Sequence, residues 1–159
     1  PLFPRLPKSR LRMVKAACLL HDVTWRAHPD YRAEVCFDYA TRANLGGLSH
    51  GERIFLGLAL LHRYKNSRAE RLDRVLELVE EPMQREAEIL GKAMRFGAMF
   101  SAQRSDQMGQ LKWHPGRKRL ILQVSPGSKR LFTEVAQARF ASLAKALEAE
   151  TDVTERRQA

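Results

Sequence analysis

The sequence predicts a mainly α fold of the α+β class, in which a helical bundle precedes a small C-terminal β-hairpin and a closing helix. Apolar residues recur at helical spacing as far as about residue 105. Strict apolar and polar alternation then replaces that spacing in 111–114 and 120–124, with Pro115-Gly116 between the two runs. With 159 residues, of which 44% are hydrophobic, the chain is long enough to bury a core of its own.

These patterns divide the chain into four predicted segments. Residues 1–8 are rich in proline and basic side chains and do not start with methionine, so we expect a linker from an N-terminal half. Residues 9–105 are the predicted bundle, and residues 106–150 are the hairpin and last helix, expected to pack on it. Residues 151–159 are polar and are predicted to be a disordered tail.

The first three helices each have a predicted beginning. The apolar spacing of 11–19 predicts helix one with Ser9 as its N-cap, and Asp30 is predicted to cap helix two. The pattern Ser49-x-x-Glu52 is a capping box for a third helix, which then extends to about residue 64. Its apolar residues occupy every side, which is typical of a helix in the middle of a bundle.

Three further elements complete the predicted fold. Residues 69–79 predict a fourth helix with an acidic outer face, and Pro82 is expected to break it. Residues 83–105 predict a fifth helix, and residues 131–148 predict the amphipathic helix that follows the hairpin.

Charge and cysteine content narrow the class of protein. The formal net charge of +10 favours anionic partners, such as phosphate chains, nucleotides, nucleic acid or an acidic protein. Cys18 and Cys36 lie in apolar helical runs, where a free thiol behaves as a small hydrophobe, and this suits a reducing cytoplasm. No run approaches the roughly 20 apolar residues that span a bilayer, so we expect no membrane contact.

The doublet His21-Asp22, at the end of helix one, has the residue types of a metal site. An adjacent His and Asp can place a nitrogen and a carboxylate oxygen on one divalent metal, which polarises a phosphoryl oxygen. The structural alternative makes His21 a helix C-cap and Asp30 an N-cap.

A second group, His62-Arg63-Tyr64-Lys65, lies at the end of helix three. Arginine offers phosphate a planar fork and lysine a mobile point charge, although cations here also complement the helix dipole. If the helices are neighbours, one cleft collects seven side chains that we predict to bind phosphate. They are His21, Arg26, His28, Arg32, His62, Arg63 and Lys65.

Three segments, ACLLHD (17–22), RAHPDYRAE (26–34) and LLHRYK (60–65), carry a family resemblance. Together with the last helix and hairpin, they make nearly the whole chain resemble the C-terminal region of the exopolyphosphatase/guanosine pentaphosphate phosphatase (Ppx/GppA) family. The resemblance implies a helical domain similar to HD-domain phosphohydrolases and non-catalytic alone. It also implies contacts to polyphosphate or guanosine pentaphosphate, a homodimer, and a partner N-terminal actin-like domain that carries the hydrolysis.

The same resemblance bears on the metal. In HD-domain phosphohydrolases, a His from an earlier helix, the His-Asp doublet and a later Asp share the ion. Here His21 and Asp22 match the doublet, but no His precedes them and 92–100 contains no Asp. The resemblance therefore implies no cofactor in this region, with a divalent metal such as Mg²⁺ left to the parent enzyme.

Two other functions stay open at this stage. One is an autonomous metal-dependent phosphohydrolase with His21, Asp22, His28 and His62 as ligands. The other, a minor alternative, is an RNA-binding module. In that case Trp25 and Trp113 would stack on bases, and 112–130, with six basic residues and no acidic one, would follow the backbone.

Overall fold

The structure, a computed structural model, describes residues 2–3, 6–67, 70–99, 109–126 and 128–155. It is mainly helical with one small sheet, so the predicted α+β class is confirmed. The helices are α1 (Lys8–Leu20), α2 (Arg32–Arg42), α3 (His50–Tyr64), α4 (Asp73–Leu76), α5 (Glu81–Gly97) and α6 (Glu134–Leu147). The strands are β1 (Gly109–His114), β2 (Arg119–Val124) and β3 (Glu150–Glu155).

The chain forms two compact units. Residues 6–95 make the helical unit, and residues 1–5 with 96–159 make the sheet unit. The division falls inside α5 because the Phe96 ring packs on Phe140 of α6, with ring centroids 5.2 Å apart. The boundary expected at residue 105 lies outside the described residues, so that part of the predicted division stays a prediction.

Helix α3 is the centre of the helical unit. Residues 54–62 are all buried, which confirms the prediction of an apolar helix inside the bundle. It packs against α2 and α1, and Gly57 lies directly under the Phe37 ring. A Cβ on Gly91 would lie 2.4 Å from the Ala59 carbonyl oxygen, so α5 approaches α3 as closely as two backbones allow.

The helix beginnings match the sequence only in part. The Ser49 hydroxyl accepts from the Glu52 amide and the Glu52 carboxylate accepts from the Ser49 amide, which confirms the capping box. The bond from the Ser49 amide lowers the pKa of Glu52. The predictions for Ser9 and Asp30 were wrong. The N-caps of α1 and α2 are Pro7 and Tyr31, because backbone turns start those helices without a side-chain cap.

The predicted fourth helix is shorter than expected. A 3₁₀ turn at Glu70–Leu72 leads into α4, which ends at Leu76. The Gln84 amide donates to the carbonyl oxygens of Leu76 and Val79, at 3.0 and 2.8 Å. The Leu76 carbonyl oxygen also accepts from the Val79 amide at 3.0 Å, so a backbone turn and the Gln84 side chain together satisfy the carbonyl groups where the helix ends.

Helix α5 also differs from its prediction. It begins at Glu81, so Pro82 lies in its first turn, where a missing amide hydrogen costs nothing. Its last helical residue is Gly97, and residues 100–108, which cover most of the predicted remainder, lie outside the described part of the chain.

The hairpin prediction is confirmed in the sheet unit. Strands β1 and β2 pair antiparallel, with Leu111 opposite Leu122, and Pro115–Arg117 forms the 3₁₀ turn between them. Lys118 completes the turn with a φ of 45°. Alternate residues of β2 and one face of α6 form the buried core of this unit: Leu120, Leu122, Val124, Ala136, Phe140, Leu143 and Ala144.

The tail prediction was wrong where the structure describes it. Residues 150–155 form β3, which pairs parallel with β2 and places Asp152 opposite Ile121. The Glu150 amide donates to the Lys118 carbonyl at 2.8 Å, and Arg119 pairs with Asp152 at 3.0 Å. Pairing with a neighbour, rather than an apolar pattern of its own, makes this segment a strand. Residues 156–159 lie outside the described residues.

Two smaller expectations can be compared with the structure. Cys18 and Cys36 are both free thiols. Within the described residues, no helix is both long and apolar enough to cross a bilayer.

Candidate phosphate-binding site

Tyr64, the last residue of α3, joins that helix to the end of α1. Its hydroxyl lies 3.0 Å from the Asp22 carboxylate and 2.9 Å from the His21 carbonyl oxygen, and it donates its single proton to this pair of acceptors. Burial, reinforced by the hydrogen bond to Asp22, raises the pKa of Tyr64 to about 12. The His-Asp doublet and the His62–Lys65 group therefore do meet, and the residue between them that makes the contact is a tyrosine.

We expect Tyr64 to make stability fall at alkaline pH. Its pKa in the folded state, about 12, lies above the ordinary value of 10.0, so the folded protein holds the proton more tightly than the unfolded chain. The contribution of Tyr64 to the free energy of unfolding is complete below pH 10 and is lost as the pH rises through 12. Urea unfolding at a series of pH values should show a steeper alkaline loss in the wild type than in Tyr64→Phe. Equal slopes for the two proteins would contradict this prediction.

The His21-Asp22 doublet is used in the structure to end α1. His21 is the C-cap residue, as the structural alternative predicts, and its Nδ1 lies 2.7 Å from the Cys18 carbonyl oxygen. Asp22 accepts from Tyr64. Across the described residues, no three His, Cys, Asp or Glu side chains are grouped so as to hold a metal ion. The doublet thus supplies two candidate ligands, and the described residues place no third one beside them.

Two of the predicted phosphate ligands hold the backbone in place. The Arg32 guanidinium donates to the carbonyl oxygens of Ala27 and Trp25, at 3.0 and 2.7 Å, and so fixes the turn that follows α1. The Lys65 ammonium pairs with Glu34 at 2.6 Å, which ties the end of α3 to α2. Both side chains shape the region, and part of their hydrogen-bonding capacity is used within the protein.

His62 lies apart from the other six residues. It is 6% exposed, and a Cβ on Gly91 would lie 2.5 Å from the His62 Cβ. His62 therefore faces α5. Gly57 and Tyr64 are seven residues apart and share another face of α3. Gly57 is directed towards α2, and Tyr64 towards the end of α1. The structure does not bring His62 into one cleft with the rest.

Arg26, His28 and Arg63 are the predicted residues best placed to receive an anion. The Arg26 guanidinium lies over the Trp25 ring at 4.9 Å, and that of Arg63 lies over the Tyr64 ring at 5.0 Å. A guanidinium stacked in this way keeps its edge N–H groups available for a phosphate. The buried Nε of Arg63 has no hydrogen-bond partner within the described part of the chain. His28 is exposed, 3.7 Å from Asp30.

A further basic surface lies on α1, outside the residues predicted to bind phosphate. Lys8, Arg12 and Lys15 are exposed and, with Leu11, Ala16 and Leu19, line a groove of about 480 Å³. We call these six residues the α1 groove. The signal was present in the sequence, because residues 8–15 contain four basic side chains and no acidic one.

The basic hairpin is partly neutralised. Lys118 pairs with Glu148 at 3.1 Å and Arg119 pairs with Asp152 at 3.0 Å, so two of its six cations already have carboxylate partners. Trp113 is half-buried in β1, whereas Trp25 is 57% exposed. The features that the RNA alternative needs are therefore divided between the two units.

A match to a known protein family covers most of the chain. A family model described as "Exopolyphosphatase, C-terminal" matches residues 7–152, which is most of the chain. No curated protein matches the sequence significantly.

Proposed function

The chain belongs to the family of exopolyphosphatase C-terminal domains, and from that membership we propose that it binds polyphosphate, or the phosphates of guanosine pentaphosphate. In this proposal the domain is non-catalytic. It contributes phosphate binding and homodimer contacts to a hydrolysis that an N-terminal actin-like domain carries out in the cytoplasm. Any Mg²⁺ requirement belongs to that partner domain.

The observation that carries the proposal is the pair of stacked arginines, Arg26 and Arg63. Tyr64 bonds Asp22 at the end of α1, and Arg26 follows Asp22 by four residues, so both guanidinium groups belong to the same end of the helical unit. A polyphosphate chain presents one negative charge or more per unit, and each arginine can offer it two parallel N–H donors.

The neighbouring residues support this arrangement. Arg32 holds the turn that carries Arg26, and Lys65 holds the end of α3 that carries Arg63. The His28 ring adds a further N–H donor, because its Nδ1 accepts from the Asp30 amide and its Nε2 then carries the hydrogen. With a net charge of +10, the chain also attracts polyanions over longer distances.

Binding of inorganic polyphosphate to the 159-residue chain tests the proposal. Calorimetric titration should show binding at about 50 mM NaCl that weakens steeply towards about 200 mM, because each contact releases counterions. Replacing both Arg26 and Arg63 by Gln should weaken binding by about tenfold or more, because two charge-assisted donor groups are lost. Parallel titrations with guanosine pentaphosphate show which phosphate ligand the domain prefers.

The matched control removes an arginine elsewhere in the same unit. Arg42 ends α2, its side chain is 79% exposed, and it lies 3.8 Å from Asp38, so Arg42→Gln removes one positive charge away from the proposed site. We expect a loss of less than about threefold for this control. The proposal would be overturned if the loss of polyphosphate affinity per removed charge were the same at the site and at Arg42. It would also be overturned if the chain did not bind polyphosphate at low salt. A single-stranded RNA competitor and a phosphoester assay test the two alternatives.

A further inference from the structure

The α1 groove combines exposed apolar residues with unpaired cations. Leu19 is 84% exposed and Leu11 is 44% exposed, whereas Met13 and Ala17 on the opposite face are buried. Lys8 and Lys15 form no ion pair within the described residues, although Arg12 bonds Glu52. A phosphate chain would leave the two leucines in water, so this surface requires a partner that is both apolar and acidic.

The same chain carries a surface of that chemistry. Leu78 is 70% exposed, and the side chains of Glu77, Glu80 and Glu81 around it are exposed as well. None of these three carboxylates forms an ion pair with any part of the chain that the structure describes. We call Glu77, Leu78, Glu80 and Glu81 the acidic patch. It stands out in a chain whose net charge is +10.

We propose that the acidic patch of a second copy of this chain docks in the α1 groove. Leu78 of one copy covers Leu11 and Leu19 of the other, and the glutamates face Lys8 and Lys15. The contact joins unlike surfaces, and in the closed dimer that we propose two copies form it twice, reciprocally. The inference rests on the dimer contacts of the proposed function and gives them a location.

The complementary charges explain why the contact is selective. Two acidic patches repel each other and so do two α1 grooves, so a patch meeting a groove is the attractive pairing of these surfaces. Burial of the leucines supplies affinity that salt does not screen, while the lysines and glutamates supply a part that salt weakens. Self-association should therefore weaken, without vanishing, as the salt concentration rises.

Charge reversal and mixing test the proposal. One variant, Lys8→Glu with Lys15→Glu, makes the groove acidic; the other, Glu77→Lys with Glu81→Lys, makes the patch basic. Each variant alone should dissociate at least about tenfold more readily than the wild type in sedimentation velocity at about 50 mM NaCl without phosphate. An equimolar mixture should associate again, because both contacts of the mixed dimer are then between opposite charges.

Matched controls make the outcome decisive. Leu78→Ser removes an exposed side chain and should weaken the dimer by about tenfold, whereas Val135→Ser, at a position 53% exposed on α6, should not change it. Far-UV circular dichroism confirms that each variant is folded. A wild-type chain that stays monomeric, variants that associate like the wild type, or a mixture that fails to associate would overturn the inference.

The result is separable from that of the phosphate experiment. If the protein dimerises and none of these substitutions changes the dissociation constant, the proposed function keeps its dimer contacts. Only the assignment of those contacts to the α1 groove is then wrong. Polyphosphate binding depends on Arg26 and Arg63, and none of the dimer variants changes either residue.

Discussion

Gly91→Ala is expected to destabilise the helical unit by about 2 kcal/mol or more, because added atoms in a packed core force the backbone to move. The new Cβ would lie 2.4 Å from the Ala59 carbonyl oxygen and 2.5 Å from the His62 Cβ. The first of these neighbours is backbone and the second is fixed to it, so α3 and α5 must separate. The gain in helix propensity, at most about 1 kcal/mol, offsets only part of this cost.

Gly97→Ala is the matched control in the same helix. A Cβ at Gly97 meets no atom of the described residues within 4 Å, so this change should be neutral or slightly stabilising. Urea unfolding followed by circular dichroism gives both free energies of unfolding. Equal effects of the two substitutions would show that helix propensity, and not the close approach of α3 and α5, controls the response.

Phe55→Ala should be the other severe substitution, with an expected loss of about 3–5 kcal/mol. Phe55 is 1% exposed in the middle of α3, and the Arg10 guanidinium lies 4.9 Å from the centre of its ring. Truncation leaves a cavity in the centre of the helical unit and also removes the ring on which Arg10 stacks. Arg10 would keep its ion pair with Glu86, at 3.3 Å, so the loss reports mainly on packing.

Tryptophan fluorescence allows this effect to be measured in the helical unit itself. Trp25 belongs to that unit and Trp113 to the sheet unit, so Trp113→Phe leaves a single reporter. In this background, Phe55→Ala should shift the unfolding midpoint strongly, while Val35→Ala, at a position 41% exposed on α2, should change it by about 0.5 kcal/mol or less. Similar shifts for both variants would contradict the central position of Phe55.

The His-Asp doublet illustrates how residues typical of a catalytic site can serve structure. Asp22 accepts from Tyr64 and His21 bonds the carbonyl of Cys18, so both side chains stabilise the junction of α1 and α3. Under the proposed function, the chemistry of the domain is the binding of anions by Arg26 and Arg63 beside that junction, in support of a catalytic partner domain.

Local patterns in the sequence were sufficient for most of the helices and for the hairpin. The structure confirms three patterns that depend only on neighbouring residues. They are the capping box at Ser49 and Glu52, the apolar residues on all sides of α3, and the alternation on both sides of Pro115-Gly116. The family could also be recognised from short segments, because 17–22, 26–34 and 60–65 are runs of consecutive residues that need no fold to be identified.

Contacts between distant segments had to be seen in the structure. Residues 150–155 are a strand because β2 pairs with them, and the Leu76 carbonyl at the end of α4 accepts from Gln84, eight residues further along the chain. The predicted phosphate cluster depended on which face of α3 each residue occupies, and only the packing of Gly91 shows that His62 is directed towards α5. Sequence alone thus determined the family, the fold class and most elements, since these follow from local periodicity. The tertiary structure decided which side chains meet, because burial and hydrogen-bond partners depend on how the helices and strands pack.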